Sequence, residues 1–96
     1  VLESTTNQAA VVHPYVHQKP GLASGSPVIV GTKFPVRSVV EYILRQGFTP
    51  EELVREFPQL TLPKIYDALS YYYDHQAEID AEILDNREEV WRDETK

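Results

Sequence analysis

At 96 residues, with 42% apolar residues and a formal net charge of −6, the chain is long enough for one domain with its own core and too apolar for global disorder. It has no cysteine, which excludes a disulfide framework and a thiolate metal site, and no run near the ~18 apolar residues of a membrane span. These features fit a cytoplasmic protein. The charge is uneven: residues 1–32 sum to zero, residues 33–64 to +1 and residues 65–96 to −7. One end would tolerate a polyanion and the other would be repelled by it, although a solvated acidic helix gives the same pattern.

Residues 1–10, "VLESTTNQAA", lack the basic and apolar regions of a secretory signal and read as a flexible arm. From Val11 to Phe34 the chain reads as short extended pieces. "VVHPYVHQ" and "PVIV" are candidate strands, and "KPGLASGSP" between them is dense in turn formers. Two strands alone are marginal in water, so this ribbon must pack on helices or pair with another chain.

Val36, Val39, Val40, Ile43 and Leu44 then fall at i, i+3, i+4, i+7 and i+8, one face of a helix that Gly47 terminates. "TPEEL" predicts the next start, with Thr49 as N-cap, Pro50 at the first helical position and Glu52 closing a capping box. Phe48 and Leu53 have the spacing of a hydrophobic staple. Pro58 ends this short helix. A third helix is predicted from Thr61, with Leu60 and Ile65 as its staple and Leu62, Ile65, Tyr66, Leu69, Tyr72 and Tyr73 as its apolar face. Beyond Tyr73 the helix either continues or breaks near Asp74-His75. As one helix, Leu69, Tyr72, Gln76, Ile79, Ile83, Asn86 and Val90 form a heptad seam that would pair two chains or lie on a partner.

The expected fold class is therefore mainly α with a short N-terminal β-ribbon. A three-helix, winged-helix-like helix-turn-helix core spans residues 11–75 with its ribbon, and residues 76–96 add an acidic C-terminal helix. In such a motif the start of the second helix of the pair enters the major groove, presenting Pro63, Lys64, Asp67, Ser70 and Tyr71. Lys64 would meet a guanine edge or a phosphate and Ser70 either base class, while Lys33, Arg37 and Arg55 would supply phosphate contacts. Asp67 opposes phosphate on the same face. Arg45 and Arg55 also stand four residues from Glu41 and Glu51, the spacing of ordinary surface ion pairs.

His13 and His17 lie four apart in an extended region, which does not give a helical chelate, and no carboxylate pattern surrounds His75, so no metal is expected. "GLASG" leads into a strand rather than a helix and is not a phosphate loop. Ser24 and Ser26 lack the context of an activated nucleophile. Asp74, Glu78 and Glu82 read as a wet helical stripe, so neither an enzyme nor a cofactor site is expected.

The ordered set Pro27-Val28-Ile29, Gly31-Thr32, Pro35-Val36, Gly47, "TPEEL", "FPQLT" and Ile65/Ala68/Leu69 leading to Tyr72 resembles the domain-of-unknown-function 433 family of small prokaryotic proteins, from about Lys19 to Ile83. The sequence departs at Lys33-Phe34, where Arg-Ile is more usual, and at "SGSP", where a Gly-Gly pair is. The resemblance implies a helix-turn-helix domain with a β-ribbon, a homodimer and often an antitoxin that represses its own operator DNA and covers a PIN-like nuclease toxin. On that division of labour the near-neutral body approaches DNA and the acidic helix docks on the toxin through Ile79, Ile83, Val90 and Trp91. The competing reading is a protein-interaction or dimerisation module that never binds DNA.

Overall fold

The computed structural model describes residues 12–94, with side chains as far as Asn86; the predicted arm at residues 1–10 lies outside this range. Strand β1 (Val16–His17) pairs antiparallel with β2 (Val28–Ile29), with Val16 opposite Ile29 and His17 opposite Val28. Both strands are shorter than the apolar runs suggest. Pro14, Pro20, Pro27 and Pro35 flank them, and a residue without an N–H cannot extend a ladder. After β2 the chain curls on itself. Gly31 takes φ +83°, and the Thr32 hydroxyl donates to the Ile29 carbonyl at 2.9 Å while accepting from Phe34 N–H at 2.9 Å. A bridge between Val28 and Pro35 closes the curl, which delivers Pro35 as the N-cap of the first helix.

Helix α1 (Val36–Val40) buries Val36, Val39 and Val40 and runs into a π-helical turn at Glu41–Arg45. Gln46 N–H bonds back five residues to the Glu41 carbonyl at 2.9 Å, and Phe48 N–H reaches the Tyr42 carbonyl at 3.0 Å. The wider turn shifts the helical phase. Ile43 stays against the core, but Leu44, expected on the inner face, is 45% exposed. Gly47, at φ +84°, reverses the chain as predicted.

Helix α2 (Pro50–Glu56) starts with the expected capping box: Thr49 Oγ1 accepts from Glu52 N–H at 3.1 Å, and Glu52 Oε1 accepts from Thr49 N–H at 2.9 Å. Helix α3 (Leu62–Asp74) follows. Thr61 holds the N-cap backbone position but makes no side-chain cap bond. His75, at φ −132° and ψ 40°, ends α3, its N–H shared between the Tyr71 and Tyr72 carbonyls at 3.0 Å each. Helix α4 (Gln76–Glu94) then begins on a new course.

The core joins Ile29 of the ribbon, Val36, Val39 and Val40 of α1, Leu53 and Leu60, Ile65, Ala68 and Tyr72 of α3, and Ile79 and Ile83 of α4. Each large aliphatic side chain removed from water here is worth about 1.5–3 kcal/mol. Among the described residues the protein is thus mainly helical, with four α-helices and a short two-stranded antiparallel sheet. The continuous heptad seam does not form. Beyond the break at His75, Ile79 and Ile83, expected to face a partner, are 1% and 2% exposed in this chain's own core, while Gln76 and Asn86 are exposed. The side chains of Val90 and Trp91 lie outside the described residues.

Candidate functional site

Helix α3 carries three charged side chains, Lys64, Asp67 and Asp74, and all three turn toward the N-terminal part of the chain. Lys64 Nζ lies 3.9 Å from where a Cβ on Gly31 would stand. Asp67 accepts from Tyr15 N–H through Oδ2 at 2.8 Å and faces His13 Nδ1 through Oδ1 at 3.2 Å. Asp74 Oδ2 stands 2.7 Å from Nε2 of the same ring. The imidazole of His13, 8% exposed, is thereby held between two carboxylates. It also meets Tyr71 edge-on at 5.2 Å, and His75 stacks on that tyrosine at 4.1 Å. Burial first, then the carboxylates of Glu78 and Glu82, push the Tyr71 hydroxyl above the usual phenol range.

With its charges drawn to one side, α3 presents an uncharged face on another. Leu62, Tyr66, Leu69 and Tyr73 recur at i, i+4, i+7 and i+11, a single stripe about 16 Å long at 1.5 Å per residue. Tyr66 is 54% exposed, Tyr73 59% and Leu62 36%, with Leu69 half-buried and Pro63 and Ser70 exposed beside them. The sequence pattern assigned the whole set to the core. It could not all fit, because Ile65, Ala68 and Tyr72 already fill the arc that a helix buries.

The residues expected at a DNA groove are not gathered into one basic face. Asp67 is covered by the His13–Tyr15 segment, with Oδ2 accepting from Tyr15 N–H and Oδ1 facing His13. Arg37 is also spent internally. Its Nη1 donates to Ser26 Oγ at 2.9 Å and lies 3.5 Å from Glu82 Oε1, tying the ribbon turn and α1 to α4. Ser70 and Lys33 are exposed, as expected.

Lys33 borders an aromatic groove of about 390 Å³ formed with Phe34, Pro35, Ser38, Tyr42, Phe57 and Gln59. Arg55 lies in a separate groove beside Glu52 and Glu56. Neither Arg45–Glu41 nor Arg55–Glu51 forms an ion pair within 4.0 Å, although the spacing suggested both. Among the described residues no group of three or more His, Asp or Glu is placed to hold a metal ion, and no helix is long and apolar enough to cross a membrane.

A helix-turn-helix-like core carrying a curled β-ribbon and a fourth helix defines the class. The sequence profile described as protein of unknown function (DUF433) matches residues 16–72, more than half of the chain, and the protein belongs to that family. Its fold is similar to the crystal structure of a DUF433 member protein from Anabaena variabilis ATCC 29413. The two chains share 29% identity and a TM-score of 0.70, over 86% of this chain and 81% of that one. No curated protein matches the sequence.

Proposed function

We propose that this protein works as a protein-docking domain whose contact surface is the uncharged face of α3. The observation that carries this reading is the exposed stripe of Leu62, Tyr66 and Tyr73 on a chain of net charge −6, with every charged residue of the helix turned away from it. Exposed tyrosines in a stripe free of charge offer large contact area at small entropic cost, the composition favoured at the centre of protein interfaces. The occupant best matched is the apolar face of a partner helix, which lays its own i, i+4 and i+7 side chains along the stripe.

The antitoxin reading implied by the family resemblance assigns that partner to a toxin, or to the second chain of a homodimer. Size-exclusion chromatography with light scattering on the purified protein, alone and co-expressed with the product of the adjacent gene, tests this reading. A complex that forms with the native chain and is lost with Tyr66→Asp supports it. Complexes indifferent to Tyr66→Asp and Tyr73→Asp would refute it.

A second reading, a regulator of operator DNA, draws on one observation. Lys33 and Lys64 both lie at or beside the Gly31 turn, and neither is in an ion pair among the described residues. Phosphate contacts by these lysines would make binding to the protein's own upstream duplex fall steeply with salt. Binding that is weak at low salt, or unchanged by Lys64→Glu, would eliminate it.

A further inference from the structure

A neutral imidazole has one N–H and one bare lone pair, whereas an ionised carboxylate can only accept hydrogen bonds. His13 has a carboxylate oxygen against each ring nitrogen, at 3.2 Å from Asp67 and 2.7 Å from Asp74. Asp67 also accepts from Tyr15 N–H through its other oxygen. With both carboxylates ionised, only the doubly protonated ring satisfies both contacts. With one proton gone, a nitrogen lone pair would face a carboxylate oxygen at hydrogen-bond distance, in a place where the ring is 8% exposed.

We propose that His13 is a proton-operated latch that straps the N-terminal segment across α3, closed while the ring is an imidazolium and released when it loses a proton. The strap is the stretch from His13 to β1. Besides the ring contacts it is held to α3 by the Tyr15 N–H bond to Asp67 and by Val16, which packs on the core. Among the described residues the titratable groups around the ring come from α3 and its C-cap: Asp67, Asp74, Tyr71 and, at 6.3 Å between ring centroids, His75. Helix α4 acts one step removed, through Glu78 and Glu82 facing Tyr71. Tyr71, its hydroxyl raised above the usual phenol range, stays neutral over the working range.

The sign follows from linkage. Closure that needs the doubly protonated ring is favoured by acid and opposed once the ring loses a proton. Opening bares the carboxylate of Asp67 and the ring of Tyr71, changing the surface beside the α3 stripe.

The test is an NMR titration of the full chain between about pH 5 and 9, spanning the imidazole range. Long-range ¹H–¹⁵N correlations report the protonation of both His13 nitrogens, and amide exchange corrected for its intrinsic rate reports strap opening at Tyr15. Expected are two protonated ring nitrogens at the acid end of the range. Once the ring deprotonates, Tyr15 opening rises by up to about tenfold per pH unit, while the amides of Val39 and Ile65 stay protected. In Asp74→Asn, whose amide can donate to a neutral ring, the Tyr15 step flattens. A His13 ring with a single N–H throughout, Tyr15 protection that ignores pH, or a step that survives Asp74→Asn would each overturn the latch.

Discussion

Tyr72 places a hydroxyl at the edge of the core, where it donates to Asp80 Oδ1 at 2.9 Å while its ring is 6% exposed. Burial, and then the Asp80 carboxylate, raise its hydroxyl above the usual phenol value. The unfolded chain therefore gives up this proton at a lower pH than the native one. Stability from this group is intact below about pH 10 and falls as pH climbs through the raised native value, by up to about 1.4 kcal/mol per unit. Urea melts of Tyr72→Phe should show about 1 kcal/mol lost at neutral pH with the hydrogen bond. Above about pH 10 the variant's stability should fall less steeply than the native chain's; parallel curves would show that another group carries the alkaline loss. Single residues were the hardest scale to read in the sequence. Tyr72 was legible as apolar, but its carboxylate lies on the next helix. His13 stood out only as half of an implausible metal pair, because Asp67 and Asp74 are more than fifty residues away and no local pattern brings them to it.

Local chemistry made the elements themselves far more legible. The Thr49–Glu52 box, the Gly47 reversal and the burial of Leu53, Leu60 and Ile65 all follow from contacts within five residues, so sequence spacing sufficed. Two things escaped. The π-helical turn at Glu41–Arg45 adds a residue that periodicity assumes absent, and Leu44 swings outward. On α3, Leu62, Tyr66, Leu69 and Tyr73 form one stripe and Ile65, Ala68 and Tyr72 another, and packing against α1 sends the second inward. Removing the Thr49 cap of α2 has a measurable consequence. Thr49→Ala leaves the Glu52 N–H without its partner while the bond from the residue-49 N–H to the Glu52 carboxylate remains, at a cost of about 0.5–2 kcal/mol. A thermal melt should fall by several degrees with helix content at low temperature unchanged; no shift would mean that the box forms without stabilising α2.

Across the whole molecule, the charge asymmetry suggested a neutral body and a separable acidic helix, but the structure joins them. Helix α4 is acidic on its wet faces and contributes Ile79 and Ile83 to the same core as Val36 and Leu53, while Glu82 meets Arg37 on α1. A heptad seam and an intramolecular core stripe look identical in sequence, and the backbone break at His75 selects between them. The polar interruption at Gln76 marks this position only in hindsight. Deleting residues 76–96 would therefore do more than remove an acidic tail. It would uncover the inner faces of α1 and α3, leave Arg37 without its carboxylate and strip two buried isoleucines, each worth about 2–5 kcal/mol on truncation to alanine. For a domain whose total stability is about 5–15 kcal/mol, that loss is comparable with the whole. The shortened chain should show no cooperative thermal transition, and Ile83→Ala in the full chain should lower the melting temperature while keeping it cooperative. If the chain ending at His75 melts as the native protein does, the core closes without α4, and the acidic helix is free for a partner.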